Sequence, residues 1–396
     1  METTIATPPT LPAFKADPAA LIQGKRLLSL DTFRGITIAA MILVNDPGTW
    51  TAVYAPLLHA TWHGWTPTDL VFPFFLFIVG VSIAFAFQKR LAQGAEKGPL
   101  VRKALRRSAI IFGLGLLLAA FPFFQFYPEF SLRDYSTLRI PGVLQRIAVC
   151  YLAATLLYLY ARPRTEYIIG ALFLFGYWAA VMLIPVPGSG AGIIDQPIGS
   201  VQAYLDSVIF GNHMWSQTRV WDPEGFLSTF PAVVTTLLGV WTGRLLLSDK
   251  DPVEKTVRVL VYGLGVLTAG YIWDWFFPIN KMLWTSSYVL FTGGLAMCGL
   301  GVCYWAIDVR GRSRWTKPFV EYGMNAITVY VLSGLLAKTL GTIRVGDTTL
   351  QATIFQTVFA PLAPPKFASL LYAITFVLVL YAVAHVMARK NIIVKV

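Results

Sequence analysis

The chain has 396 residues, of which 56 % are hydrophobic and 13 % are charged. Soluble globular proteins carry about a quarter charged residues, so this composition excludes an ordinary soluble domain. The net charge of +12 would favour nucleic acid in a soluble protein. Here, however, the basic residues lie mainly in short loops between apolar runs, and no nucleic-acid partner is expected. Because apolar runs of about 20 residues, enough for a helix to cross a bilayer, recur throughout, the sequence predicts an all-α integral membrane protein.

The first segment differs from the rest of the chain. Residues 1–26 are rich in Pro, Ala and Thr and lack the apolar core of a signal peptide. They are predicted to form a flexible cytoplasmic tail, followed by a single transmembrane domain, residues 27–396, with about ten helices. The predicted spans are 27–45, 70–88, 107–126, 143–161, 166–185, 226–247, 257–277, 285–305, 319–339 and 367–388.

The distribution of Lys and Arg predicts the orientation. The loops after the second and eighth spans are short and rich in basic residues, which is typical of cytoplasmic loops. Both termini are then predicted to be cytoplasmic, and the longest outer loop is 186–225. The second and sixth spans both begin near a Phe-Pro pair and run from outside to inside, which leaves open an arrangement of two five-helix halves.

Charged side chains within the spans are candidate functional groups, because each costs about 2.5–3.5 kcal/mol at the centre of a membrane helix. In the first span, Asp31 and Arg34 lie three residues apart, on one helical face. They form either a structural ion pair or a site where the arginine binds an anionic group from the cytoplasm. In the fourth span, Arg146 either binds backbone carbonyls of a neighbouring helix or serves a ligand. Asn325, in the ninth span, is predicted to join helices, a common use of amides in membranes.

Polar residues concentrate around the first predicted outer loop. The chain has four histidines, and two of them lie in the HATWHG stretch of this loop. A lone histidine at a membrane surface is more often an interfacial residue than a catalyst. A histidine beside a carboxylate is typical of a general base, because the carboxylate fixes the tautomer and stabilises the imidazolium. The residues of this cluster are Asn45, Asp46, His59, His63 and Asp69.

A metal site is a competing interpretation of the same loop. The spacing of His59 and His63 would suit two ligands on a helix, but Gly64 and Pro67 disfavour a helix there. No third ligand is apparent in the sequence. The three cysteines lie inside apolar runs and offer neither a disulfide nor a metal motif. No metal is therefore predicted.

Six segments, in order from about residue 27 towards the C-terminus, resemble motifs of the heparan-α-glucosaminide N-acetyltransferase family. That family comprises transmembrane acetyl-CoA transferases of lysosomes and many bacterial relatives. The resemblance implies transfer of an acetyl group from cytoplasmic acetyl-CoA to an amino sugar or glycan on the outer side. The segments are LDTFRGITIAAMILVN, HATWHGWTPTDLVFPFFLFIVG, LRIPGVLQR, WDPEGFLST, FPINKMLWTSSYVL and EYGMNAITVYV.

The resemblance also implies roles for individual residues. His59 occupies the position of the family's active-site histidine, and Asn45 that of the other polar residue attributed to the active site. Asp69 falls on the aspartate of the Asp-Leu-Val-Phe-Pro motif and would orient the imidazole. His63 stands where the lysosomal enzymes usually carry asparagine and receives no role. His59 would act either as general base or as a covalent acetyl carrier, and the Asn45 amide would donate to the developing oxyanion.

Donor and acceptor are expected at opposite ends of the helix bundle. The pantetheine arm would enter from the cytoplasm, with Arg34 and Arg244 as candidates for the CoA phosphates and Arg146 as a third candidate for donor binding. Trp62 would stack on a sugar ring or anchor the loop at the interface. The predicted acceptor-binding residues, all in outer loops, are Trp62, Asp222 and Glu224.

An ion-coupled secondary transporter of a small polar or sugar-like solute is the alternative function. Buried Asp, Arg and Asn side chains in a two-halved bundle would suit such a carrier. The expected partners of an enzyme are membrane lipid, acetyl-CoA and the acceptor, and the sequence leaves a homodimer open. The lack of a cleavable signal suits a bacterial inner membrane.

Overall fold

The computed structural model describes residues 27–125 and 129–394. The predicted cytoplasmic tail, 1–26, lies outside the described residues. Within them, eight helices are long and apolar enough to cross a membrane, and a bent pair of helices makes a ninth. The prediction of an all-α, multi-pass integral membrane protein is therefore confirmed.

The described helices agree in position with the ten predicted spans. The short strands form two antiparallel hairpins, β1 with β2 and β3 with β4. In chain order the helices are α1 (Leu28–Asn45), α2 (Val71–Ala92), α3 (Lys97–Ala120), α4 (Val143–Tyr160), α5 (Pro163–Leu183), α6 (Val201–Phe210), α7 (Thr229–Leu246), α8 (Pro252–Trp273), α9 (Ser286–Tyr304), α10 (Lys317–Met324), α11 (Ala326–Thr342), α12 (Leu350–Ile354) and α13 (Pro365–Arg389). The strands are β1 (Phe124–Gln125), β2 (Ser131–Leu132), β3 (Arg344–Val345) and β4 (Thr348–Thr349).

Helix α3 departs most from its predicted span, 107–126. It begins ten residues earlier, at Lys97, and ends at Ala120. Its first half carries five Lys and Arg residues, so it is not among the eight apolar helices. The basic half can stay outside the hydrocarbon layer, since long cationic side chains reach the interface. Arg107, at the border of the two halves, lies 5.0 Å above the ring of Tyr151.

The ninth predicted span, 319–339, is broken rather than straight. Helices α10 and α11 meet at 81°, and Asn325 stands between them. The Asn325 amide donates to the carbonyl oxygen of Ile392 at 3.0 Å and accepts from the N–H of Val394 at 3.0 Å. Asn325 thus fastens the segment after α13 at the bend. The bend itself was not predicted, because neither proline nor a Gly pair marks it.

The two helices that begin at Phe-Pro pairs, α2 and α7, are in backbone contact. A Cβ atom added to Gly80 would lie 1.8 Å from the Thr236 carbonyl oxygen, and one added to Gly239 would lie 2.0 Å from that of Phe77. Only glycine permits helices to approach so closely in a membrane bundle. This contact brings the start of α2 next to the start of α7. The arrangement of two five-helix halves stays a prediction.

Candidate active site

His59 and Asp69 form a hydrogen-bonded pair at the end of α2 that is predicted to face outward. Nδ1 of the imidazole lies 2.6 Å from Oδ1 of Asp69, whose side chain is 1 % exposed. The second oxygen, Oδ2, accepts from the backbone N–H groups of Ala60 and Thr66, each at 3.0 Å. Asp69 and Thr66 form a capping box on the short 3-10 turn that leads into α2. The carboxylate is therefore fixed by the loop that carries the histidine.

The position of Asp69 determines which imidazole nitrogen is available. With the carboxylate at Nδ1, the proton of a neutral imidazole belongs on Nδ1, and Nε2 carries the free lone pair. From α9, the buried Tyr288 hydroxyl donates to the backbone oxygen of Asp69 at 2.5 Å. The Thr66 hydroxyl donates to the backbone oxygen of Leu58 at 2.6 Å. These bonds hold the orientation that a general base or nucleophile requires.

Lys281, which the sequence interpretation overlooked, lies against the His59 ring. Its Nζ atom is 3.2 Å from Nδ1 and 3.1 Å from Nε2 of His59, and 3.9 Å from Oδ1 of Asp69. Burial lowers the pKa of Lys281, and the nearby carboxylates offset this only in part. The motif FPINK contains this residue. The signal was a lysine in a short outer turn, where basic residues are uncommon.

A cavity of about 230 Å³ begins at this cluster and extends into the bundle. Ile38 of α1 lines it seven residues before Asn45, which corresponds to ~10 Å along the helix axis. Its lining combines a polar group of side chains with a larger apolar group. The polar group comprises Asn45, His59, Thr68, Arg139, Glu224, Lys281 and Tyr330, and the apolar group includes Ile38, Met41, Phe72, Phe75, Leu144, Ile147 and Ile327.

Asn45 lines the same cavity as His59 from the last residue of α1. It is exposed, and across 27–125 and 129–394 its side-chain amide makes no hydrogen bond. An unengaged amide at this place can donate to a ligand. The three residues assigned to catalysis by resemblance thus lie together, with Asn45 and His59 on the cavity wall and Asp69 behind the imidazole.

Two segments that are predicted to lie on the outer side are joined at the cavity by an ion pair. The Arg139 guanidinium donates to Asp222 through Nε at 2.7 Å and Nη2 at 2.5 Å, and Nη2 also reaches Glu224 at 2.5 Å. Burial alone would lower the pKa of Arg139, but Glu224 and Asp222 outweigh it and raise the pKa. Asp222 is 2 % exposed and also accepts from the N–H groups of Trp215 and Glu224. Asp222 is therefore engaged within the protein.

Glu224 differs from Asp222 because it lines the cavity. One of its carboxylate oxygens binds Arg139, and the other has no hydrogen-bond partner in the described part of the chain. Of the two carboxylates predicted to bind the acceptor, only Glu224 presents an available oxygen to the cavity.

The rest of the first outer loop packs against the 186–225 segment. Trp62 donates through Nε1 to the Ile194 backbone oxygen at 2.7 Å, and its ring meets Trp221 edge-on, with 5.5 Å between centroids. His63 pairs with Asp195 at 3.0 Å. Trp62 does not line the cavity that His59 lines. For 27–125 and 129–394, no three His, Cys, Asp or Glu side chains converge in a group that could hold a metal ion.

The Asp31–Arg34 ion pair predicted from sequence is present. Nη1 of Arg34 lies 2.8 Å from Oδ1 of Asp31, and Nη2 donates to the Ser82 hydroxyl at 2.9 Å. The Arg34 side chain remains 20 % exposed. It lies four residues, or ~6 Å of helix rise, on the N-terminal side of Ile38, and it does not line the cavity itself.

The other two predicted donor-binding arginines are held by protein groups. Arg146 donates through Nη2 to the Gly225 carbonyl at 3.0 Å and the Ser228 hydroxyl at 2.5 Å, both in the segment just before α7. Its Nε and Nη1 atoms are buried and have no partner among the described residues. Arg244 binds Glu166 with both terminal nitrogens, at 2.5 and 2.6 Å. Neither arginine lines the cavity.

Comparison with known sequences identifies the family. The sequence model of the family described as heparan-alpha-glucosaminide N-acetyltransferase, catalytic, matches residues 26–265, more than half of the chain. The chain belongs to this family. The matched range includes Asn45, His59 and Asp69, and it ends before Lys281. The family resemblance inferred from six motifs is confirmed.

Two curated members of the heparan-alpha-glucosaminide N-acetyltransferase family, from Homo sapiens and Mus musculus, carry that enzyme name. The human protein is 34 % identical over 358 aligned residues, in a match that covers 77 % of this chain and 52 % of that protein. The mouse protein is 32 % identical over 361 aligned residues, in a match that covers 78 % of this chain and 53 % of that protein. The chain spans about half the length of these relatives.

Proposed function

We propose that the protein transfers an acetyl group from cytoplasmic acetyl-CoA to an amino sugar or glycan on the opposite side of a bacterial inner membrane. One observation carries the proposal: the His59–Asp69 pair stands at the mouth of a cavity that runs into the bundle. Family membership supports it, since the relatives are named as N-acetyltransferases of an α-glucosaminide.

The chemistry starts from the free lone pair of His59 at Nε2. In one route, Nε2 takes a proton from the acceptor while the acceptor attacks the thioester carbon. In the other, Nε2 attacks the thioester itself and carries the acetyl group to the acceptor in a second step. In either route CoA leaves as a thiolate and is protonated, and negative charge develops on the acyl oxygen. The free amide of Asn45 can donate to that oxygen.

The shape of the cavity suits the acyl end of the donor. Its volume of about 230 Å³ is below the ~300–1,000 Å³ typical of sites that enclose whole ligands, so only the acetylated arm would enter. The apolar walls match the carbon chain of that arm. With the thioester at His59, the arm would run past Ile38 towards Arg34, which can bind a phosphate. The acceptor would meet Glu224 at the outer end.

The transporter interpretation has less support. It rested on buried charges that could bind a solute or an ion at the middle of the membrane. Arg34 is paired with Asp31, and Arg244 is paired with Glu166. These charges compensate one another, and we therefore favour the enzyme.

Purified protein given acetyl-CoA labelled in the acetyl group and a panel of amino sugars is expected to transfer label to at least one of them. CoA should also raise the melting temperature, because a ligand at about 100 times its Kd stabilises the folded state by about 2.7 kcal/mol. The measurements are product identification by mass spectrometry and thermal unfolding in detergent. Lack of label transfer together with lack of thermal stabilisation at millimolar CoA would contradict the proposal.

Replacing Arg34 with alanine is expected to raise the Kd for CoA about 10- to 100-fold, since a charge-assisted hydrogen bond contributes about 1.5–3 kcal/mol. Turnover of the bound donor should change less. Arg90→Ala, at the exposed end of α2, is the control and should leave the Kd unchanged. Calorimetric titration with CoA measures the Kd of both variants. Equal CoA affinity in wild type and a folded Arg34→Ala protein would remove Arg34 from the donor site.

A further inference from the structure

Lys281 has more hydrogen-bonding capacity than the protein uses. Its ammonium group can donate three hydrogen bonds. Within the described residues, the atoms that it reaches at hydrogen-bond distance are the two ring nitrogens of His59. The side chain is 14 % exposed and lines the cavity. A partly buried cation with spare donors beside an imidazole nitrogen is equipped to bind a ligand atom.

The turn that carries Lys281 is held rigidly. Asn280 accepts from the Leu283 N–H at 2.9 Å, and its own N–H donates to the Thr285 hydroxyl at 3.0 Å. The turn is also joined to the histidine loop, because the Gly64 N–H donates to the Ile279 carbonyl at 2.7 Å. A lysine on such a turn is placed before any ligand arrives, which is a property of groups that stabilise transition states.

We propose that Lys281 is a catalytic residue that binds the carbonyl oxygen of the acyl donor and stabilises the oxyanion formed on it. The inference rests on the proposed function. In the ligand-free protein the ammonium lies against the His59 ring, 3.2 Å from Nδ1 and 3.1 Å from Nε2. When the thioester enters, the ammonium donates to the carbonyl oxygen, and Nε2 acts as the base or nucleophile.

In the direct route, one proton passes from the acceptor through His59 to the departing CoA. The acceptor nitrogen or oxygen forms a bond to the thioester carbon, and the C=O π electrons move to the oxygen held by Lys281. His59 takes the proton of the acceptor at Nε2. The oxyanion then re-forms the C=O bond, the C–S bond breaks, and the CoA thiolate takes the proton from the imidazolium. In the two-step route Lys281 binds the same oxygen in both tetrahedral intermediates.

This role gives the reaction a distinctive pH dependence. The ionisable groups that face Lys281 are His59 and Asp69 from one segment and Glu224 from another, with Arg139 bound to Glu224. Burial lowers the pKa of Lys281 below its ordinary value of 10.5, although Asp69 and Glu224 act in the opposite direction. The ammonium is present below that pKa and is lost as the pH rises through it. The kcat/KM profile should therefore fall on the alkaline side below pH 10.5.

Three substitutions test the inference. Lys281→Met removes the charge with little change in shape and is expected to lower kcat about 10²- to 10³-fold, the loss typical of one oxyanion donor, while thermal stabilisation by CoA persists. Lys281→Arg should keep part of the activity and lose the alkaline fall, because arginine does not deprotonate in this range. Lys281→Cys should regain activity when 2-bromoethylamine restores an ammonium group at that position.

The controls separate this inference from the proposed function. Lys366→Met, on the outer surface at the start of α13, should retain wild-type activity, and wild type treated with bromoethylamine should be unaffected. If wild type transfers acetyl groups, and the kcat of Lys281→Met is within threefold of the wild-type value with the same alkaline fall, the role of Lys281 is overturned while the proposed function stands. If wild type transfers no acetyl group, the proposed function fails first. A Lys281→Met protein that unfolds leaves Lys281→Arg and the aminoethylated cysteine to decide.

Discussion

Replacing His59 with alanine is expected to abolish acetyl transfer, with a loss of about 10³-fold or more in kcat/KM. The variant loses the nitrogen at Nε2, which is the base or nucleophile in both routes, and general-base catalysis alone contributes about 10²- to 10⁴-fold. The fold should survive. Asp69 keeps its bonds to the N–H groups of Ala60 and Thr66, and Lys281 stays nearby as a counter-charge. Initial rates with labelled acetyl-CoA measure the effect.

His63 provides a matched control for His59. It belongs to the same loop and also pairs with a carboxylate, that of Asp195, which is 88 % exposed. His63→Ala is expected to stay within about threefold of wild type, since surface pairs contribute little energy. Both variants should still be stabilised by CoA. Wild-type turnover in a His59→Ala protein would remove the imidazole from the reaction, and the whole mechanism with it.

Breaking the Glu166–Arg244 pair is expected to cost about 3–5 kcal/mol of stability, the usual result of leaving one buried charge alone. Glu166 is fully buried and receives two bonds from Arg244 and one from Nε1 of Trp241, at 3.1 Å. Arg244→Ala would strip the carboxylate of its counter-ion. The expected result is a large fall in the melting temperature in detergent, with little change in the Kd for CoA.

A double substitution distinguishes the two roles considered for Arg244. Glu166→Gln with Arg244→Met removes both charges at similar volume, and it should recover much of the stability lost by Arg244→Ala, because no charge then remains unpaired. If Arg244 instead binds a CoA phosphate, the double variant would lose CoA affinity as severely as the single one. Unfolding curves and CoA titrations of the same three proteins measure both effects.

The sequence was sufficient for the elements whose causes are local. Membrane-spanning helices are predicted from the length of apolar runs in the sequence. The predicted helices therefore agree with the described ones to within a few residues in most cases. The ion pair of Asp31 and Arg34 was one of two interpretations of these residues, because side chains three positions apart on a helix are neighbours in space. The bend at Asn325 was missed because no proline or glycine pair marks it, and the bonds of Asn325 to residues 392 and 394 were missed because these residues are distant in sequence.

The sequence identified the motif residues of the candidate site. It did not identify the side chains from distant segments that the fold places beside them. His59 and Asp69 are ten residues apart within one motif, and their contact follows the family pattern. Lys281 is 222 residues from His59, and Arg139 is 83 residues from Asp222. Spacing carries no information on such pairs. Asp222 was therefore predicted to bind the acceptor when its carboxylate is occupied by arginine.

The glycine contact between α2 and α7 limits how the entrance can respond to a bulky acceptor. Helices with touching backbones are expected to move as one body, so His59, in the loop that leads into α2, and Glu224, five residues before α7, should keep a constant separation. Under the proposed function, room for a branched or lengthened sugar would have to come from another part of the cavity lining, such as Tyr330 of α11, beyond the bend. Tolerance of acceptor size would then be set by that tyrosine rather than by the catalytic loop.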